Sequence, residues 1–121
     1  MDLDNRNGDL KDRTYQYSLN VATICKQIQA TDQGKKIADA LFAKSTAIGL
    51  TARLAFKGRS NNDFKDKLRQ IINDADECIF WFDMLIDLGI VEESAVEELM
   101  VEASELIAIF ISISKKSRSS Y

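Results

Sequence analysis

Glu98, Glu102 and Glu105 fall on one side of a helical stretch near the C-terminus, and carboxylates stacked in this way can hold magnesium or calcium. Their column lies off the apolar seam of that stretch, which reads as a solvated face. The chain contains no histidine. That removes the commonest general base, the serine and cysteine triads, and the Glu-x-x-His iron ligands of ferritin-like bundles. Cys25 and Cys78 are too few and too scattered for a disulfide framework or a zinc site, and both stand beside apolar stripes, as small buried hydrophobes do. The glycines are isolated and form no phosphate-cradling loop. The residues point to no enzyme, metal or cofactor, and leave a binding or scaffold protein as the reading.

The elements that would carry such a role are helices. A chain of 121 residues, 45% hydrophobic and 29% charged, suits a single soluble globular domain over 1–121. It has no proline, so nothing interrupts long helices. Gly8, Gly34, Gly58 and Gly89 divide it into four segments of similar length. In the third, Phe64, Leu68, Ile71, Ala75, Cys78, Phe82 and Leu85 alternate four- and three-residue steps, with Ile72, Ile79 and Ile86 as a flanking column. Asn61 or Asn62 can cap its start and Gly89 stops its end. The fourth opens with Ser94 and Glu97 at capping-box spacing and continues through Leu99, Ala103, Leu106, Phe110 and Ile113. Its tail also alternates as a strand would, and continuity of the seam decides for helix. The first carries Leu10, Thr14, Tyr17, Val21, Ile24 and Ile28; the second carries Ile37, Leu41, Ile48, Ala52 and Ala55. Helices of about 10–29, 33–57, 62–88 and 94–115 follow, with flexible tails at 1–8 and 116–121. The two middle helices would be about 37 Å long at about 1.5 Å per residue. Short polar connections make this an all-α, antiparallel up-down four-helix bundle.

Three adjacent aromatic residues, Phe80, Trp81 and Phe82, cannot all face one core. With Phe82 on the seam, Phe80 sits about half a turn away, one turn from Met84 on an outward strip. Tyr15, Leu19 and Ala22 likewise point away from the first seam, and Ala43, Ala47, Leu50 and Leu54 form a second stripe on helix two. Apolar strips on three outer faces exceed what one small core can use, and a homo-oligomer is expected through Tyr15, Leu19, Leu50, Leu54, Phe80 and Met84.

The net charge of −3 argues against a general nucleic-acid binder, but placement matters more than the average. In an up-down bundle one pole gathers Lys11, Arg13, Arg53, Lys57, Arg59, Lys65, Lys67, Arg69, Lys115, Lys116 and Arg118, eleven cations, against four carboxylates, Asp9, Asp12, Asp63 and Asp66. The other pole gathers Asp83, Asp87, Glu92, Glu93, Glu97 and Glu98. A ring of such subunits would carry a basic crown able to focus a field on RNA or DNA phosphates, through Arg53, Lys57, Arg59, Lys65, Lys67, Arg69, Lys115 and Lys116. Helix dipoles offer a competing account of the cations at the ends of helices two and four, but not of Lys65, Lys67 and Arg69 at a helix start. No stacking surface for single strands is evident among the aromatic residues.

The run SNNDFKDKLRQIINDADECIFWFDMLIDLGIV, with KSTAIG at 44–49, resembles the four-helix bundle proteins encoded in intervening sequences of bacterial 23S rRNA genes. The similarity extends from Asp9 to about Lys116, and is most specific at Ser45 to Gly49, at Ser60-x-x-Asp63-Phe64 and at Asp74 to Trp81. Thr51 and Lys44 depart from the family pattern. The resemblance implies a left-handed bundle assembled as a homopentamer, with no settled biochemical role. The family is also similar to the accessory protein of diversity-generating retroelements, a basic pentamer that binds nucleic acid and a reverse transcriptase, so a reverse transcriptase or other host protein is an implied partner. Rival readings are a protein-interaction adaptor without nucleic-acid binding and an intervening-sequence passenger.

The N-terminus, MDLDNRNGDL, lacks the basic start and apolar stretch of a secretion signal. The run Leu106 to Ile111 is far short of the roughly 20 residues that span a bilayer. A cytoplasmic location without membrane contact is expected.

Overall fold

The computed structural model describes residues 3–57 and 60–119. Four helices follow in order: α1 (Leu3–Gln27), α2 (Asp32–Ala55), α3 (Asn61–Asp87) and α4 (Glu93–Ser119). Each packs along the next, while α1 and α4 touch over a far shorter stretch. This is the up-down bundle expected from the periodicities.

The seams form the core. Leu68, Ile71, Ala75, Cys78, Phe82 and Leu85 of α3 are all buried. They meet Tyr17 and Val21 of α1, Leu41 and Ile48 of α2, and Val96, Ala103, Leu106 and Phe110 of α4. The tail of α4 is helical throughout, so the strand-like alternation of its isoleucines carries no strand.

Local chemistry sets the helix ends. Thr31, extended at φ −121°, accepts at Oγ1 from the Gly34 amide at 2.9 Å and so starts α2. Ser60, rather than Asn61 or Asn62, caps α3, accepting at Oγ from the Asp63 amide at 3.1 Å. Gly89 ends that helix with φ 73°; its amide donates to Ile86 at 3.0 Å and the Ile90 amide donates to Leu85 at 2.9 Å, a Schellman closure.

Three expected boundaries shift. The first helix begins at Leu3, so Gly8 lies within it and residues 3–8 are not a tail. The fourth begins at Glu93, which puts Ser94 inside the first turn instead of at the cap, and it extends to Ser119, so 116–119 are helical.

A close contact ties α1 to α2. Ser18 Oγ donates to the Ser45 carbonyl at 2.6 Å and lies 3.1 Å from the Thr14 carbonyl. A Cβ on Gly49 would meet that Oγ at 2.6 Å. Two turns further along α1, Cys25 Sγ lies 3.4 Å from the Ala38 carbonyl. The small residues of the KSTAIG stretch thus let two helix backbones approach. Alanine at a helical glycine normally stabilises by about 1 kcal/mol. At Gly49 the buried hydroxyl would have to give up its hydrogen bond, so Gly49→Ala is expected to destabilise by about 1–2 kcal/mol in urea denaturation. In a Ser18→Ala background the same substitution is expected to be neutral or stabilising; an equal loss in both backgrounds would sink this account.

Candidate functional site

Two surfaces carry the residues singled out above: the apolar outer faces and the basic pole. Ser18, Ala22, Thr46 and Gly49 lie where α1 and α2 close up, and these small side chains leave a trough between the helices. Tyr15, Leu19, Phe42 and Leu50 rise as its walls, and Arg53 stands at one end. The groove has a volume of about 360 Å³ and is almost wholly apolar. Its walls are open to solvent, with Tyr15 53%, Phe42 52% and Leu50 60% exposed. Of the expected contact residues, Tyr15, Leu19 and Leu50 come together here, and Leu54 is exposed beyond them. Phe42 was not identified by periodicity. Its signal is the column Phe42, Thr46, Leu50 at four-residue spacing, which the alanines at 43 and 47 obscure.

Phe80 lies apart, on α3. It is 55% exposed, and its ring stands edge-on to Trp81 at 5.0 Å and 77°. Trp81 and Met84 are half-buried against the core, so Met84 belongs to the packed flank more than to an outward strip. A shallower depression between α3 and α4 is lined by Ile79, Met100, Val101 and Ala108.

The pole takes shape in part. Lys65 and Arg69 of α3 and Ser114 and Lys115 of α4 line one crevice of about 300 Å³ over Ile72 and Ile111, which brings the start of α3 and the end of α4 together. Lys57, Lys115 and Lys116 are exposed, whereas Arg53 turns toward the apolar groove. Arg59 lies outside the described residues. Lys67 Nζ is 2.7 Å from Asp63, and Arg69 Nη1 is 3.1 Å from Asp66. These pairs, one helical turn long, give Lys67 and Arg69 a local electrostatic reason to sit near a helix start.

Ion pairs also tie the helices sideways. Arg13 forks onto Glu102, with Nε to Oε2 at 2.7 Å and Nη2 to Oε1 at 2.8 Å, and Nη2 also reaches Glu105 at 2.7 Å. Glu98 and Glu105 of that column are exposed, as expected of a solvated face, while Glu102 is half-buried under the fork, which takes Arg13 out of the free charge of the pole. The hydrogen bond that Arg13 donates to Glu102 raises the guanidinium's proton affinity further, against a smaller opposing effect of burial. Lys44 lies 3.2 Å from Glu77 and 3.7 Å from Asp74. Its pKa is raised, first by the hydrogen bond to Glu77. Asp74 is shifted upward by burial, which Lys44 partly offsets.

Burial pushes the Cys25 thiol up to about 11 and the Cys78 thiol up to about 12, so neither is a reactive thiolate near neutral pH. The Tyr17 hydroxyl is buried without a hydrogen-bond partner, and burial raises its pKa far above the ordinary phenol value. Among the described residues no cluster of three or more His, Cys, Asp or Glu could hold a metal ion, and no helix is long and apolar enough to cross a membrane.

The geometry defines a class: an up-down four-helix bundle with an apolar lateral groove and a partly paired basic end. No family model matches the chain, and no curated protein matches it. Among solved structures it is similar to the crystal structure of a protein of unknown function from the S23 ribosomal protein family of Bacteroides thetaiotaomicron. The TM-score is 0.83 at 22% sequence identity, over 90% of this chain and 97% of that one. At that identity the likeness establishes a shared fold, which is the fold the resemblance implied.

The Arg13 fork makes a direct prediction, since α1 and α4 otherwise touch little. Arg13→Met keeps the apolar stem but removes the charge, and should cost about 1 kcal/mol in denaturation. Amide hydrogen exchange should quicken in α4 around Glu102 to Glu105 and stay unchanged between α2 and α3. Unchanged exchange in α4 would mean that the fork holds nothing.

Proposed function

We propose that the chain is a member of the family encoded in 23S rRNA intervening sequences and acts as a non-catalytic homo-oligomeric scaffold, its basic pole binding RNA or DNA. The observation that carries the reading is the apolar groove between α1 and α2. Its exposed walls are aromatic and aliphatic, and monomeric proteins seldom leave such a contiguous strip in water. Self-association covers it, and the ring of five implied by the resemblance is the assembly expected.

Assembly also bears on nucleic-acid binding. One subunit of net charge −3 attracts phosphates weakly, and local pairs at Lys67 and Arg69 reduce its basic end further. Repetition by symmetry sets the crevices of Lys65, Arg69 and Lys115 side by side, and a field of several such clusters can hold a polyanion.

The test has two arms. Light scattering should give a mass near five times the 13.6 kDa of one chain. A labelled RNA or DNA oligonucleotide should bind with an affinity that falls steeply with salt. Lys65→Glu combined with Arg69→Glu and Lys115→Glu should weaken that binding by roughly tenfold or more while the mass stays the same. A monomeric wild type would overturn the scaffold, and salt-independent or undiminished binding would overturn the role of the pole.

A further inference from the structure

Charge is divided sideways across this molecule as well as end to end. Residues 1–60 carry ten Lys and Arg against six Asp and Glu, whereas residues 61–121 carry six against thirteen. Between Arg69 and Lys115 there is no Lys or Arg at all, and eleven carboxylates occupy that stretch. Because α1 and α2 come from the first half and α3 and α4 from the second, one side of the bundle is basic and the other acidic.

The apolar features follow the same division. The groove lies on the basic side. Arg53 stands in it, Lys11 and Lys26 extend the Tyr15, Leu19, Ala22 column by a turn at either end, and Lys57 follows Arg53 in the turn just past the end of α2. Asp12 and Asp39 share these columns, so cations outnumber carboxylates there by four to two. The projecting ring of Phe80 is on the acidic side, on the helix diagonally across from α1. Asp76, Asp83 and Asp87 surround it, all exposed, and Glu77 is occupied by Lys44. No cation stands on α3 after Arg69.

We infer that the occupant of the α1/α2 groove is a second copy of this chain, which inserts Phe80 of α3 between Tyr15, Leu19, Phe42 and Leu50, while the aspartates beside Phe80 face the cations at the groove. The inference rests on the self-assembly proposed above and adds how the copies meet. Groove and ring are different surfaces, so the contact is head-to-tail: every subunit uses one of each, and the pattern closes into a ring or runs on as a chain. Opposite charge speeds that pairing and disfavours groove against groove, where like charges would meet. An aromatic ring is also a fitting occupant for a trough whose floor is Ser18, Ala22 and Gly49.

The experiment mixes two variants. Leu50→Glu spoils the groove and leaves Phe80 intact; Phe80→Glu does the reverse. Both positions are exposed, so both proteins should keep the helical circular dichroism and the melting behaviour of the isolated subunit. Leu19→Glu and Phe80→Lys form a second pair if either does not fold. Each variant alone should be a monomer of 13.6 kDa by light scattering. An equimolar mixture should give a dimer of one subunit of each kind and nothing larger, because it unites one sound groove with one sound ring, and high salt should weaken that dimer. A mixture that stays monomeric while the wild type assembles would overturn this docking and leave the scaffold standing. Full assembly of Phe80→Glu alone would show that the groove pairs with itself or with another surface, and would overturn it too. A monomeric wild type removes both readings together.

Discussion

The contact between Ser18 and Gly49 sets how the four helices share space. A serine hydroxyl held between the Thr14 and Ser45 carbonyls, facing a residue without a side chain, draws α1 hard against α2. Helices that approach so closely cannot fill the space above their contact with side chains from the contact itself. Ala22 and Thr46 are too small to do so, and a trough remains with Tyr15, Leu19, Phe42 and Leu50 standing round it. On its other side, α1 touches α4 over only a short stretch. There the long Arg13 side chain reaches Glu102 and Glu105 and joins the first helix to the last.

Much of this fold was legible as spacing. The seam of α3, from Leu68 through Leu85, is the buried face of the helix residue for residue, because a period of 3.5 over a run so long leaves no other face to bury. Gly89 was legible for a different reason: the chain must turn to a positive φ there, and few residues do so without strain. The start of α1 was not. Residues 3–9 contain no apolar periodicity, Gly8 resembles a boundary, and a helix can continue through polar residues once the turns after it are anchored by packing. Ser60 over Asn61 as the cap of α3 differs by a single residue among three chemically equivalent candidates, a choice that propensity does not make.

The candidate surfaces were legible in kind and less so in detail. That helices one, two and three are apolar on more than one face follows from counting, and the exposed Tyr15, Leu50 and Phe80 bear that out. The depth of the groove does not follow from counting, since it depends on the separation of two helices. The pairs Lys67–Asp63 and Arg69–Asp66 were within reach of sequence reasoning, being four and three residues apart on one helix. Arg13 and Glu102 were not, because 89 residues separate them and only the packing of the bundle brings them together. Charge totals taken pole by pole miss such pairs and overstate the field that remains.

The lateral and axial divisions of charge bear on each other. Copies joined groove to groove by a two-fold axis lying across the bundle would run antiparallel, and a basic end would then lie beside an acidic one. Copies related by rotation about an axis along the bundle keep their long axes parallel, and every basic end then falls on the same rim. Only the second arrangement adds fields instead of cancelling them. Neighbouring clusters reinforce one another best within a Debye length, about 8 Å at physiological ionic strength. Close side-by-side packing of slender rods favours that reinforcement, and a loose association does not. On the docking proposed above, a phosphate-binding crown would depend on the sideways contact of Phe80 with the α1/α2 groove more than on any single lysine. The chain can be acidic overall and still concentrate positive potential where its copies line up.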